Sequence, residues 1–261
     1  MRLIIFSLFF LSACQLSNSS SDTSTLGEQL DQATFIDLTH TLNTDAPFWS
    51  GENSPFEYSA IATHESGKVI MGRYAVPEHF GTHLDAPIHG GDHLSTVDEL
   101  TANDLFGPAV VIDISQQSNN NADYLLTVED ILTWESDYGL ISEGAIILLN
   151  TGWGQKWGDV AAYRNRGEDG KMHFPGFSVE AADFLVNQRT IKGIGIDNMS
   201  VDYGLSSDFA AHGIVNGSGK YHLENVANVH LLPATGSYLF VAPIKLGGGS
   251  GGQVRIWAML P

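Results

Sequence analysis

Residues 79–89 read His79-Phe80-Gly81-Thr82-His83-Leu84-Asp85-Ala86-Pro87-Ile88-His89, which sets three histidines and an aspartate within eleven positions. Imidazole and carboxylate are the ordinary donors to zinc and to other divalent first-row metals. Along an extended strand every second side chain points the same way, so His79, Gly81, His83, Asp85, Pro87 and His89 share one face. Thr82, Leu84, Ala86 and Ile88 make the opposite, largely apolar face. The pattern is that of a strand lying on a core and presenting ligands to a cleft. His83 and Asp85 would stand about 6.6 Å apart, within reach of one ion, whereas His79 would lie about 13 Å from His83 in a straight strand. The chain must therefore bend, and Gly81, open to backbone angles closed to other residues, is placed to allow it. A helix would also bring positions i and i+4 together, but Gly81 and Pro87 both oppose one here. The stretch is expected to be a bent strand or a strand running into a loop.

The 261-residue chain is long enough for a substantial core, and its 43% apolar content is a globular value. A formal charge of −18 argues against nucleic-acid binding, which needs a basic footprint. Met1-Arg2, the apolar run Leu3–Leu11 and the small pair Ser12-Ala13 have signal-peptide anatomy, and the run is too short to span a bilayer stably. Leu11-Ser12-Ala13-Cys14 resembles the lipobox of bacterial lipoproteins, in which the cysteine becomes the lipidated first residue. Ser17–Thr25 reads as flexible. The expected organisation is a signal peptide over 1–13, a lipidated, Ser-rich tether over 14–33 and one domain over 34–261, exported and facing the periplasm or the cell exterior. Cys14 is the one cysteine, so an internal disulfide, thiolate catalysis and Cys-ligated zinc are excluded. Any metal must be held by His and carboxylate.

Short apolar runs predict strands at Thr34–His40, Glu57–His64, Lys68–Val76, Pro108–Ser115, Ala145–Thr151, Ile191–Asp197, Lys220–Ala227, Ser237–Ile244 and Gln253–Leu260. Thr127-Val128-Glu129-Asp130 opens a helix to about Trp134 with a capping-box-like start. Ser178 starts a second helix that ends near Gln188. Gln116–Asp123 and Gly167–Lys171 read as polar loops. The excess of strands over helices predicts an α/β or α+β fold with a mixed sheet.

Downstream, His212 and Glu224 stand twelve positions apart, separated by a loop with Gly213, Gly217 and Gly219 and by a short strand. Alone the pair is weak; its weight comes from the first cluster, which has too few donors for a closed binuclear site. Taken together, these residues make the chain resemble the cyclase-like metal-dependent hydrolases, the family of bacterial kynurenine formamidase (arylformamidase) and isatin hydrolase. That family's signature, H-x-G-T-H-x-D-x-P-x-H, is matched from His79 to His89. Its tryptophan thirty residues before the first histidine is matched by Trp49 in Pro47-Phe48-Trp49-Ser50-Gly51. Its later histidine and glutamate are matched by His212 and Glu224. The similarity runs from about Phe35 to Leu260, while Trp153–Trp157 and His173–Gly176 look like segments of its longer members.

By this resemblance the fold is α/β, a single mixed-sheet domain of the swivelling β/β/α type. One divalent metal, zinc or manganese, would be held by His79, His83 and Asp85 and a second by His212, with Asp85 and Glu224 able to bridge both. His89 would transfer a proton and Trp49 would line the pocket of a small aromatic amide or lactam. A homodimer is implied as well. The implied reaction is metal-dependent hydrolysis of an amide-type C–N bond, formyl or cyclic. The alternative is a lipoprotein that binds a small molecule or a metal without turnover.

Asp197 and Asp202 follow a strand end and read as turn formers, and His93, His173 and His222 read as structural. Gly247–Gly252 satisfies G-x-G-x-x-G, yet a strand follows where a dinucleotide site requires a helix. The same run fits G-x-S-x-G, but no acidic residue or histidine remains after Ser250 to complete a triad. A glycine hairpin beside the active site, preceded by Lys245, is expected instead.

Overall fold

The computed structural model describes residues 25–49, 54–67 and 69–261. The expected signal peptide, Cys14 and the tether as far as Ser24 lie outside the described residues, as do Ser50, Gly51 and Lys68. The chain forms two compact units, Met1–Gln32 and Ala33–Pro261. In the first, α1 (Leu26–Gln32) starts at Thr25. The Thr25 hydroxyl accepts from the Glu28 amide at 3.3 Å, and the Glu28 carboxylate accepts from the Thr25 amide at 2.7 Å. This reciprocal cap makes the end of the expected tether helical.

The described elements of the second unit begin with β1 (Thr34–Asp37), β2 (Glu57–Ala62), β3 (Met71–Ala75), β4 (His83–Asp85) and β5 (Phe106–Asp113). Then come α2 (Ser115–Asn120), β6 (Leu125–Leu126), α3 (Val128–Tyr138), β7 (Ala145–Asn150), α4 (Val160–Arg164) and β8 (Gly176–Phe177). The last are α5 (Val179–Gln188), β9 (Ile191–Ile196), α6 (Ala210–Gly217), β10 (Tyr221–Glu224), β11 (Tyr238–Pro243) and β12 (Gly251–Leu260). Every strand expected from the sequence is present, trimmed or shifted at its ends. The helix expected at Val128 carries the full Thr127–Asp130 capping box and runs on to Tyr138, where Gly139 ends it. The polar stretch 116–123, expected to be a loop, is partly helical as α2. Its Ser118 is buried and hydrogen-bonds back to the Ile114 carbonyl, so packing overrides a weak propensity.

Strands β5, β7, β9 and β10 run parallel in that spatial order. Each parallel step is crossed by a helix, α3, α5 or α6, as parallel neighbours require. Strand β4 pairs antiparallel with β10 on one side and β12 on the other, and β11 joins β12 back to β5. Seven strands thereby close into a mixed barrel, with β1 outside it on the far half of β12. Both faces of β7 are apolar and buried, as a parallel sheet covered on two sides demands. One face (Val111, Ile146, Leu148, Leu239, Ile256) meets Leu84 and Leu223 inside the barrel. The other (Val110, Ile112, Ile147, Leu149, Ile196) lies under Ile131, Trp134, Ala181, Leu185 and Val215 of the helices. Leu84 thus anchors β4 in the core and leaves His83 and Asp85 on its opposite face.

Within the helical layer, α3 is tied to the end of α5 by a charged clamp. Arg189 donates to both carboxylate oxygens of Glu135 at 2.6 Å, and Glu135 also accepts from the Ile141 amide at 3.1 Å. These bonds, Arg189 foremost, hold the Glu135 carboxyl below its ordinary range. A depressed carboxyl stabilises the fold above its ordinary pKa, and that stability is lost as pH falls through the folded-state value. Chemical denaturation of Glu135→Gln at pH 7 is expected to show a loss of roughly 1–3 kcal/mol. The gap to the unchanged protein should close in acid; a gap constant with pH would contradict the clamp.

Candidate metal centre

Gly81 adopts φ +67°, the left-handed region open to glycine. With the chain turned there, His79 Nδ1 lies 2.6 Å and His83 Nε2 3.1 Å from the same oxygen, Asp85 Oδ1. The bend expected from the sequence is therefore what brings His79 back to the strand. After Asp85 the chain leaves the sheet for a 3₁₀ turn, Pro87–Gly90, since Pro87 has no N–H to continue the ladder. His89 sits on that turn at the cavity mouth, its Nε2 3.6 Å from Asp85 Oδ2.

The second expected pair converges on the same carboxylate by a different route. His212 does not lie in a glycine loop but in the first turn of α6. Asp202 accepts from the amides of Ala211 at 2.9 Å and His212 at 3.1 Å, which satisfies the helix start, and lies 2.6 Å from His212 Nδ1. Asp202 is therefore more than the turn former the sequence suggested. It fixes the imidazole so that Nε2 points at the site, 3.3 Å from Glu224 Oε1 and 3.8 Å from Asp85 Oδ2.

His222, expected to be structural, is also corrected by its position. It pairs directly across from Asp85 between β10 and β4, fully buried, with Nε2 2.8 Å from Asp85 Oδ2 and 3.5 Å from Glu224 Oε1. The signal was present in the sequence: His222 and Glu224 are two apart on a strand, the same spacing that joins His83 to Asp85. His93 and His173 remain outside the cluster. Asp197 accepts from the Thr151 and Gly154 amides at 3.0 and 3.2 Å, a buried structural carboxylate.

Two sets of donor atoms lie within 4.8 Å of one another: His79, His83 and Asp85, and Asp85, His212, His222 and Glu224. Asp85 belongs to both. Nε2 of His83 and both ring nitrogens of His222 are buried without a hydrogen-bond partner, although carboxylate oxygens stand close by. Lone pairs on nitrogen and oxygen that face one another across such distances suit a shared cation. The donors are borderline nitrogens and hard oxygens, as zinc or manganese would accept. Burial opposes a charge on His83, but the Asp85 and Glu224 carboxylates outweigh it and raise its pKa to about 9. His212 is likewise raised, to about 10, by Asp202 and Glu224 against the pull of burial. Burial favours a neutral Glu224, but the neighbouring His212 and His222 imidazoles prevail and lower it to about 2.

Outside the donors, the His83 ring is set by its own loop. His83 Nδ1 donates to the Gly81 carbonyl at 2.9 Å, which also accepts from Asn225 Nδ2 at 2.9 Å. Asn225 Oδ1 in turn accepts from the Tyr163 hydroxyl at 2.8 Å, and Asn225 itself sits at φ +53° directly after Glu224. The glycine hairpin expected beside the site is there: Ser250 Oγ is 2.9 Å from His79 Nε2. A Cβ at Gly251 would stand 2.7 Å from the His79 ring and from the Leu84 carbonyl. Above the donors, Trp49, Phe48, Phe80 and Phe209 line a cavity of about 370 Å³ that opens on His79, His89 and His212. The Trp49 ring packs edge-on against Phe174 at 5.7 Å and lies 5.8 Å from Phe209. Phe209 and Asn225 carried no sequence signal; both hold positive φ beside the donors, where strained backbone often marks function.

Two outcomes are expected. Since the ligand imidazoles must shed protons before a metal binds, apparent affinity for manganese should rise steadily from about pH 6 to pH 9, with proton release at neutral pH. Calorimetry in buffers of different ionisation heat checks this, and a pH-independent affinity would contradict it. Asn225→Gly keeps a residue suited to positive φ but removes the amide that shares the Gly81 carbonyl. Its metal affinity should fall about 10–100-fold, while the melting temperature drops by only several degrees as two buried hydrogen bonds are lost; equal affinity would show that the amide does not position His83.

Residues 36–203 match the family described as Putative cyclase. An isatin hydrolase of Roseibium aggregatum is 32% identical over 94% of this chain and 99% of its own length. A kynurenine formamidase of Bacillus thuringiensis is 30% identical over 85% of this chain and 95% of its own. The solved isatin hydrolase A of Ralstonia solanacearum superposes with a TM-score of 0.84 at 32% identity, over 93% of this chain and all of that one. The ligand strand, the barrel that carries it and these likenesses agree: the chain belongs to the cyclase family.

Proposed function

We infer that the protein is a metal-dependent hydrolase of an amide-type C–N bond, and propose that it uses two divalent ions, zinc or manganese, on a small aromatic amide or lactam. The observation that carries the two-ion reading is that Asp85 is common to both donor sets. His79, His83 and Asp85 would hold one ion. His212 and His222 would hold the other, with Glu224 alongside. The negative charge of a carboxylate common to both sets would offset part of the repulsion between two dications. Bound there, they supply a Lewis acid for the amide carbonyl and a water acidified to near neutrality.

The remaining steps fall to the chain's own groups. Trp49, Phe48 and Phe209 hold the aryl ring and exclude water on that side. His89 is at the cavity mouth beside Asp85 and His79, though it belongs to neither donor set. Burial and the neighbouring imidazoles outweigh Asp85 and lower its pKa, so it is neutral near pH 7 and ready to accept a proton. It takes that proton from the attacking water and passes it to the leaving nitrogen as the C–N bond breaks, giving carboxylate and amine. Asp202 keeps the His212 tautomer fixed throughout. For the N-terminal region we propose export and lipidation at Cys14, and for the assembly a homodimer, both by family likeness and leader sequence.

The test is turnover of N-formylanilides and of isatin by protein loaded with zinc or manganese. Asp85→Ala is expected to lose metal and activity together. His89→Ala should keep its metal and lose about 10²–10⁴ in rate. Loss of metal in His89→Ala would make that residue a ligand instead, and tight binding without product in the unchanged protein would favour a pure binding role.

A further inference from the structure

The glycine run 247–252 carries one side chain, that of Ser250. Its backbone is pinned around that residue. The Val97 amide donates to the Gly249 carbonyl at 3.0 Å, the Ala86 amide to the Ser250 carbonyl at 2.9 Å, and the Gly248 amide to Asp98 at 2.9 Å. Ser250 is thereby held beside the end of the ligand strand.

Glu78, immediately before His79, closes over this run. Its Oε2 accepts from the Ser250 amide at 2.9 Å, the Ser250 hydroxyl at 2.6 Å and the Gly251 amide at 3.3 Å. Its own backbone is fixed from β12, where Gln253 Nε2 donates to the Pro77 and Glu78 carbonyls at 2.8 and 3.0 Å.

The direction of these bonds decides the state of His79. Glu78 Oε2, already an acceptor from both amides, accepts the serine proton as well, and a hydroxyl has one proton to give. Ser250 Oγ can therefore only accept from His79 Nε2, 2.9 Å away. With its proton on Nε2, His79 keeps a lone pair on Nδ1, the atom that lies 2.6 Å from Asp85 Oδ1. His83 and His212 are held the other way round. Their Nδ1 atoms bond to the Gly81 carbonyl and to Asp202, and Nε2 faces the other donors.

We propose that Glu78 and Ser250 are positioning residues for His79. They fix the tautomer in which the ring offers Nδ1 to a divalent ion, and the Glu78 charge, acting through the hydroxyl, makes that nitrogen a stronger donor. The assignment rests on the metal-dependent reading above and deepens it, because it names the groups that set affinity for the ion at His79.

Ring tautomers and metal affinity, neither of which needs turnover, test it on the full chain. In long-range proton–nitrogen correlation spectra of the zinc-loaded protein, His79 should carry its proton on Nε2, while His83 and His212 carry theirs on Nδ1. A His79 protonated on Nδ1 overturns the relay. Manganese affinity should fall about 10–100-fold in Ser250→Ala and in Glu78→Gln. Glu78→Gln/Ser250→Ala should bind no more weakly than Ser250→Ala, because the carboxylate acts through the hydroxyl. Unchanged affinity in both single variants, or losses that multiply in the double variant, overturns the proposal. Should the protein bind its metal yet hydrolyse no amide, the reaction reading fails alone, and the same spectra and affinities still judge the relay.

Discussion

A buried carboxylate ringed by imidazoles is the constraint around which this protein is built. Asp85 is the last residue of β4, with His222 directly across on β10 and Gly251 across on β12. His79, His83, His89, His212 and His222 each bring a ring nitrogen within 4 Å of it. A charge so placed is costly unless compensated. The compensation comes from every side of the fold: a bent strand, a 3₁₀ turn, a helix start and a neighbouring strand. The closed barrel is what keeps these elements in register, since β4 is held on both edges and anchored below by Leu84.

The same geometry separates tasks that a looser site would mix. Donor rings are fixed from outside, His83 by the Gly81 carbonyl and His212 by Asp202, so each presents one nitrogen inward. His89 lies on the turn after Pro87, half-exposed, with its ring 4.2 Å from that of His79. Aromatic residues from three distant loops then roof the cavity. Trp49 and Phe209 give that roof an apolar surface.

Much of this was legible in the sequence where the signal is local. The two-residue period of His83 and Asp85, the bend at Gly81 and the apolar strands are short-range properties, and the longer strands and the mixed sheet followed from them, while the two-residue strands β6 and β8 did not. His212 and Glu224 were found through a resemblance, not through physics, because twelve intervening residues say nothing of distance. The chain between them was read as a loop on account of its glycines, yet the apolar run Ala210–Val215 packs as a helix capped from afar by Asp202. That contact spans a chain reversal with no local pattern to announce it. His222 taken alone reads as structural, although its alternation with Glu224 puts both side chains on one face of β10. Phe209 holds a positive φ that single-residue preferences do not foretell, and Asn225, although asparagine tolerates that region, carries no local pattern that tells it from the chain's other asparagines.

The most direct measurement is an anomalous-scattering map from crystals of the manganese-loaded protein. The account predicts two peaks about 3.5–4 Å apart with the Asp85 carboxylate between them, one peak against His79 and His83 and the other against His212 and His222. A single peak, or peaks out of reach of Asp85, would contradict it.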